Sequence, residues 1–229
     1  TLMFIVSFWG LSRLTIERDS PAAPSTSFVD QLIAGFRHLL DRSDLRLLLA
    51  LTALNGLLGR TIIELLPALS GQVLQGGSAE LAVLVAMAGL GSVLGGLLVS
   101  RQAADLARLM MLVCAAIMLA GLALISLQWF AGLVGLALWV SILSVVTTVA
   151  GTGSQTLIQL TASAEYRGRV MSVWTMLAMG APALGAALLG AGVDGFGFSR
   201  VAVWTGGVGV VLVILLYARR SRVTADSDP

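Results

Sequence analysis

Long uninterrupted stretches of apolar residues dominate the hydrophobic pattern of this chain. No charged residue occurs in residues 81–100, 109–164, 170–193 or 201–218. A helix needs about 20 apolar residues to cross the hydrocarbon core of a bilayer. The second stretch would measure about 84 Å as one helix that rises 1.5 Å per residue, so it must contain two helices. The sequence therefore predicts transmembrane helices, with the turn that divides the second stretch at Gln128 and Trp129.

Six membrane spans are predicted from these stretches and from the mixed segment before them. They lie near Leu45–Leu69, Glu80–Ser100, Ala107–Leu127, Trp129–Thr152, Arg169–Val193 and Val201–Ala218. The predicted fold is an all-α membrane protein, a six-helix transmembrane bundle over residues 45–218, preceded in residues 1–11 by the end of another transmembrane helix.

The polar segments between and after these spans are predicted to lie outside the bilayer. Residues 12–44 contain Pro21 and Pro24 and are predicted to be a cytoplasmic linker. From Ser27 the linker repeats apolar residues at helical spacing, which indicates an amphipathic helix lying on the membrane surface. This helix is a connector or, alternatively, a membrane-remodelling segment. Residues 219–229 are predicted to form a cytoplasmic tail.

The composition supports a membrane protein and excludes several classes of site. The chain is 57% hydrophobic and only 11% charged, against about 25% charged residues in soluble domains. All 14 basic residues are arginine, which excludes a phosphate-binding or Schiff-base lysine. One cysteine, Cys114, and one histidine, His38, supply neither an internal disulfide nor a metal cluster. The sequence thus predicts no cofactor, no metal and no nucleic-acid partner.

The distribution of arginine predicts how the bundle is oriented. If the linker is cytoplasmic, the alternating loops place every loop arginine except Arg200 on the cytoplasmic side. Loops rich in Lys and Arg remain in the cytoplasm during membrane insertion. Both ends of the six-helix bundle are therefore predicted to be cytoplasmic.

Two charged residues, Arg60 and Glu64, lie inside the first predicted span, where Arg60 is about 4 Å from the middle at 1.5 Å per residue. A charge at the bilayer centre costs about 2.5–3.5 kcal/mol on insertion scales. Four residues apart on a helix, the two side chains share a face and can form an ion pair. Either the pair is structural, or it lines a polar cavity that binds a charged substrate or couples to proton movement. Asn55 is a further candidate for that cavity, although it is predicted on a rotated face.

Polar and small residues in the later spans add three candidate features. In the fourth span, Thr147, Thr148 and Gln155 lie along a polar stripe that faces a cavity or, alternatively, emerges into the cytoplasm. In the fifth span, Pro182 is a candidate hinge, with close helix packing as the alternative role of the small residues around it. In the second span, Gly91 and Gly95 form a small-xxx-small pattern that predicts close helix packing.

Several of these segments together resemble the major facilitator superfamily. The segment SAEYRGRVMSVWTM is similar to a conserved cytoplasmic loop of that superfamily. The segment GLLGRTIIELLPAL, followed by a GxGxxxGG span, resembles the branch that contains the enterobactin exporter and bacterial "secretion effector" permeases. The resemblance covers nearly the whole chain and matches the carboxy-terminal half of a 12-helix fold. It implies a bacterial inner-membrane protein that works by alternating access, with an amino-terminal six-helix half as its counterpart.

The resemblance also assigns a role to one loop. It places Glu165, Arg167, Gly168 and Arg169 on the cytoplasmic loop before the fifth span, where they would hold bundle ends together and not touch substrate. The loop at Arg101 lacks the glycine- and arginine-rich pattern of the superfamily's gating motif, so no gate is expected there.

The sequence and the resemblance together predict a secondary active transporter that exports a small molecule such as a drug, siderophore or metabolite, with export driven by protons. The expected partners are that substrate, the lipid bilayer and protons. No nucleophile–base pair is visible, so the protein is predicted not to be an enzyme, and a membrane-embedded enzyme is a distant alternative. The main alternative is a non-transporting assembly partner or an inactive half-transporter.

Overall fold

The computed structural model of the chain describes Trp9, residues 42–130 and residues 132–225. The chain separates into two compact units, Thr1–Ala34 and Gly35–Pro229, and every helix named below belongs to the second unit. The predicted end of a preceding helix (apart from Trp9) and the predicted amphipathic helix lie outside the described residues.

Seven helices follow one another in the described part of the second unit. They are α1 (Ser43–Glu64), α2 (Leu66–Val73), α3 (Ser78–Gln102), α4 (Leu106–Ser126), α5 (Gly132–Thr161), α6 (Arg167–Phe196) and α7 (Phe198–Ala225). All except the short α2 contain a stretch long and apolar enough to cross a membrane, and no strand occurs among the described residues. The predicted all-α six-helix transmembrane fold is confirmed.

The first span ends earlier than the predicted Leu69. Leu65 has φ −88° and ψ 12° and interrupts the helix, and α2 then begins with Pro67 in its first turn. Proline lacks an N–H and its ring collides with the preceding helical turn, so an uninterrupted helix cannot pass through this point without distortion. The continuous span is therefore Ser43–Glu64, with Asn55 near its middle and Glu64 as its last residue.

Two of the connections between helices are very short. A 3₁₀ turn, Leu127–Trp129, follows α4 before α5 begins at Gly132, which confirms the predicted turn at Gln128 and Trp129. Between α6 and α7 only Gly197 is non-helical, with φ +82° and ψ 151°. Glycine adopts this backbone conformation without the steric cost that a Cβ would add.

Small residues allow the closest contacts between helices. A Cβ on Gly91 would collide with the backbone carbonyl of Ser141, and one on Gly95 would lie 2.7 Å from that of Val145, so α3 packs directly on the backbone of α5. The small-xxx-small prediction for Gly91 and Gly95 is thereby confirmed. The other register of the same pattern is not used in this way, because Gly96 has open space beside it.

Helix α1 lies in the centre of the bundle and α6 nearer its surface. In the most apolar 18-residue segment of α1, 61% of the residues are buried, whereas in that of α6 only 22% are buried. Helix α1 contacts α5 and α6, so these three helices enclose the polar residues described next.

Candidate functional site

A wide helical turn in α1 determines which of its residues share a face. From Gly56 to Arg60 the helix is a π-helix, and the amide of Thr61 donates to the carbonyl of Gly56, five residues earlier. Residues five apart lie about 140° apart around a regular α-helix, but a turn with i→i+5 bonds brings them toward one face. Asn55 and Arg60 consequently face the same cavity. The prediction that Asn55 lies on a rotated face was wrong because the sequence reading assumed regular helical geometry.

The cavity lies between α1, α5 and α6 and has a volume of about 220 Å³. Five of the six predicted cavity residues meet there, namely Asn55, Arg60, Thr147, Thr148 and Gln155. The remaining lining residues are Thr52, Gly56, Gly151, Thr152, Trp174, Ala178 and Met179. Of the alternatives for the polar stripe of α5, the structure therefore favours the cavity.

The long axis of the cavity follows the helices. Its lining runs from Thr52 to Arg60 on α1 and from Thr147 to Gln155 on α5. Each stretch covers eight helical steps, or about 12 Å at 1.5 Å per residue. The site is thus a polar groove set within the membrane-spanning part of the bundle.

Asn55 is the most buried amide of this groove, with 7% of its surface exposed. Its Nδ2 donates a hydrogen bond to the backbone carbonyl of Thr147 at 3.2 Å, which joins α1 to α5. Its Oδ1 accepts no hydrogen bond from any described residue, and the Nε1–H of Trp174 donates none to any described residue; both atoms are fully buried. Buried polar groups in native proteins nearly always have a partner, so these two atoms are exceptions, as are Ser70 Oγ and Ser154 Oγ elsewhere in the bundle.

The predicted ion pair forms but is only partly associated with the cavity. Arg60 Nε lies 3.7 Å from Glu64 Oε1, and the two side chains are 62% and 44% exposed. Arg60 lines the cavity, whereas Glu64 does not. Because Glu64 is the last residue of the span, the pair lies in the final turns of α1 and not at its middle. Asn55 and the polar residues around it, and not the ion pair, therefore form the centre of the candidate site.

One threonine connects the irregular turn of α1 with the proline of α6. The Thr61 hydroxyl contacts the carbonyl of Gly56 at 2.8 Å and that of Pro182 at 3.3 Å. A Cβ on Gly56 would lie 2.8 Å from the Cβ of Ala181, so the two helices are in direct contact at this level. Helix α6 runs through Pro182 without ending. The predicted hinge at Pro182 stays a prediction.

Comparison with protein families agrees with this architecture. The model of the family described as transmembrane secretion effector, a branch of the major facilitator superfamily, matches residues 1–228. The chain belongs to this family. A comparison with curated proteins finds no match.

Family membership and the six spans together identify a multi-pass membrane protein with a general transport or efflux role. The family is one of transporters and is not generally enzymatic. Among the described residues, no group of His, Cys, Asp and Glu side chains is arranged to hold a metal ion.

The loop residues that the resemblance singled out lie away from the cavity. Arg167 donates from Nη2 to the carbonyl of Ala162 at 3.5 Å, connecting the start of α6 to the end of α5. Arg169 lies over the ring of Tyr166 at 5.4 Å. Glu165 and Gly168 are exposed, and none of the four loop residues lines the cavity. At the other predicted loop, Asp105 caps α4 and pairs with Arg108 at 3.0 Å, a structural arrangement.

Sequence reasoning missed Trp174, Ala178 and Met179, the contribution of α6 to the cavity. Ala178 and Met179 are ordinary apolar residues in an apolar span and carry no signal. Trp174 carried one, because an indole N–H inside a membrane helix needs a partner. The pair Gly56 and Gly59, four residues before and one before Arg60, was the available signal for irregular packing in α1, where a Cβ on Gly59 would collide with Thr147.

Proposed function

We propose that this protein exports a small organic molecule through the groove between α1, α5 and α6. The observation that carries this proposal is a set of polar side chains that line one cavity at membrane depth, namely Asn55, Arg60, Thr147, Thr148 and Gln155. Polar groups inside a membrane are costly, and they mark substrate pathways where they face a cavity. A purely structural bundle would gain stability by filling this space with apolar side chains.

The rest of the mechanism rests on the resemblance to superfamily exporters. A second six-helix bundle covers the open side of the groove, and the two halves rock about the bound molecule to expose it alternately to each side. The exposure of Arg60 supports such a cover, because a cation facing lipid would be unfavourable. Proton antiport drives export, and the cargo is a drug, siderophore or metabolite of the kind handled by exporters in the enterobactin-exporter branch.

An efflux assay tests this function. Cells that express the protein are loaded with a panel of small lipophilic fluorescent dyes, and loss of dye is followed over time. We expect Asn55→Leu to reduce export roughly tenfold, because it removes both the acceptor and the contact to Thr147. Leu97→Ala, a change on the exposed surface of α3, is the control and should export normally.

Two results would contradict the proposed function. One is Asn55→Leu protein that is present in normal amounts and exports at the rate of the wild type. The other is a wild-type protein that exports no member of the panel, which would favour a non-transporting assembly partner. Proton coupling is tested separately, since a protonophore should abolish export while cellular ATP is maintained.

The proposed location is a bacterial inner membrane, with both ends of the six-helix bundle in the cytoplasm. Single cysteines at two exposed positions, Ser163 between α5 and α6 and Ser199 in the first turn of α7, in a Cys114→Ser background test the orientation. A membrane-impermeant thiol reagent applied to intact cells should label the cysteine at 199 and not the one at 163. The reverse pattern would invert the proposed topology.

A further inference from the structure

Two further cavities lie where α6 and α7 meet. The first, the joint cavity, has a volume of about 430 Å³ and lies between the α6–α7 connection and the end of α2. The second, the apolar crevice, has a volume of about 280 Å³ and lies between α6, α7 and α1. Neither shares a lining residue with the polar groove. They are therefore separate from the proposed export site.

The apolar crevice has walls that suit hydrocarbon. Its exposed rim carries four large apolar side chains, Leu188 of α6 and Trp204, Val208 and Leu212 of α7. Below the rim, Leu58 of α1 and Gly185 of α6 are buried. The hydroxyl of Thr205, which also lines the crevice, donates to the carbonyl of Val201 in its own helix. Apolar cavities of this kind hold no water, so in a bilayer an acyl chain is the natural occupant.

The joint cavity and the apolar crevice are neighbours. Phe196 lines the first and Trp204 the second, and their ring centroids lie 5.4 Å apart. The membrane span of α7 begins at Phe198, so the joint cavity lies at the end of the spans. From Trp204 the crevice extends inward to Leu212, eight residues or about 12 Å at 1.5 Å per residue. One leaflet of the hydrocarbon core is about 15 Å thick, so the crevice has nearly the depth of one acyl layer.

The joint cavity supplies a positive charge at the end of the spans. Arg200 lines it, is exposed, and forms no ion pair with any side chain that the structure describes. The exposed Gln72 and Ser199 add an amide and a hydroxyl to the same cavity. Arginine suits phosphate because its planar guanidinium can donate two parallel N–H bonds. Arg200 is also the one loop arginine that the positive-inside pattern does not explain, since the predicted topology places it on the opposite side.

We infer that the α6–α7 joint binds one anionic phospholipid, with its phosphate at Arg200 and an acyl chain in the apolar crevice. A polar, cationic cavity at the end of the spans that is followed inward by an apolar crevice matches the order of groups in a phospholipid. Trp204 lies between the two parts, at the depth where tryptophan is favoured in membranes. Arg200 selects a lipid of net negative charge over a zwitterionic one. The inference does not depend on the proposed export.

Lipid titration followed by native mass spectrometry measures this selectivity. The full-length protein in a mild detergent is titrated with phosphatidylglycerol or with phosphatidylcholine that carries the same acyl chains. The first phosphatidylglycerol should bind about fivefold more tightly, as expected for one arginine near an anionic lipid. Arg200→Gln should remove this preference. Arg101→Gln is the control, because it removes the same charge from an exposed arginine that lines neither cavity, and it should keep the preference.

Two exposed valines of α7 test the position of the acyl chain. Val208 lines the apolar crevice, whereas Val211 does not. Val208→Trp should fill the crevice and weaken the binding of both lipids several-fold, because the acyl chain loses its apolar contacts. Val211→Trp adds the same bulk beside the crevice and should bind lipid as the wild type does.

Quenching of tryptophan fluorescence locates the lipid in a bilayer. In liposomes, brominated phosphatidylglycerol should quench Trp204 more than brominated phosphatidylcholine does at the same mole fraction. The protein has five tryptophans, and the signal that Trp204→Phe removes is the contribution of Trp204. Arg200→Gln should abolish the excess quenching. Trp129→Phe, at an exposed indole that lines neither cavity, is the control and should retain it.

Four results would overturn the inference. The first is equal affinity for the two lipids, and the second is an equal loss of affinity in Arg200→Gln and Arg101→Gln, which would indicate general attraction between charges. The third is equal lipid binding by Val208→Trp and Val211→Trp. The fourth is a Trp204 signal that neither brominated lipid quenches, which would mean that protein, such as a second copy of this chain, covers the crevice.

Discussion

The hydroxyl of Thr61 lies 3.3 Å from the carbonyl of Pro182 and so connects the π-helical turn of α1 to the proline of α6. The same hydroxyl lies 2.8 Å from the carbonyl of Gly56. Pro182 has no N–H to give to the preceding turn, and the π turn departs from regular hydrogen bonding. Two irregular places in neighbouring helices thus meet at one fully buried threonine.

Replacing Thr61 with valine should destabilise the bundle by about 1 kcal/mol, because the hydrogen bonds from its hydroxyl to Gly56 and Pro182 are lost while the shape of the side chain is kept. Thr61→Ser retains the hydroxyl and should lie closer to the wild type. Unfolding free energies in lipid bicelles measure the effect. Thr205→Val is the control, since the Thr205 hydroxyl bonds only to Val201 in its own helix. An equal loss in both valine variants would contradict a special role for Thr61.

Alanine at Gly91 should separate α3 from α5, at a cost of about 1–3 kcal/mol, because its Cβ would collide with the Ser141 carbonyl. Alanine at Gly96, on the same helix but beside open space, should be neutral or slightly stabilising, since alanine favours helix over glycine. The same unfolding measurement compares the two. Equal stability of both variants would show that the contact at Gly91 yields easily.

Substitutions of Arg60 and of Glu64 should affect export differently, although the two residues form one ion pair. Arg60→Gln is expected to reduce export roughly tenfold, because the guanidinium lines the cavity. Glu64→Gln should leave export close to normal, since Glu64 does not line it. Neither change should alter stability by more than about 1 kcal/mol, because an exposed ion pair contributes little. Efflux rates normalised to protein amount test this difference in export. If the ion pair is purely structural, both variants should instead lose stability to the same extent.

Alanine at Gly151 should narrow the groove without unfolding the protein. Its Cβ would lie 3.4 Å from Asn55 Nδ2, a contact that the amide can accommodate. Export of the dyes that the wild type transports should fall several-fold, roughly as expected for one added methyl group in a pocket. Gly180→Ala, on α6 beside open space, is the control. Unchanged export by Gly151→Ala would place the substrate elsewhere in the bundle.

The helices could be predicted from sequence because the sequence features that produce them are local in the chain. The charge-free runs determine which segments enter a bilayer, and the turn at Gln128 and Trp129 follows from the length of one run. The end of the first span at Leu65 was harder to predict from sequence. Membrane helices often continue past a proline such as Pro67 when neighbouring helices satisfy the freed backbone groups.

The site was predictable in part. Asn55 and Thr147 could be identified as candidates because polar residues inside apolar spans are costly unless they have a structural or functional role. Asn55 and Arg60 share a face through the π turn, at the level where Gly59 packs against Thr147. The pair Gly56 and Gly59 indicated irregular packing there but not the geometry of the turn. Trp174 joined the site through the placement of α6 against α1, a property of tertiary packing.

The connection at Gly197 leaves no flexible loop between α6 and α7. The Gly197 amide bonds to Val193 at 2.9 Å, and its carbonyl accepts from Val201 at 3.3 Å, so hydrogen bonds hold both sides of the joint. A helix that slides along its axis must therefore pull or push the next one with it. A displacement of α6 at the groove is therefore transmitted directly to α7, and through α7 to α4, against which α7 packs.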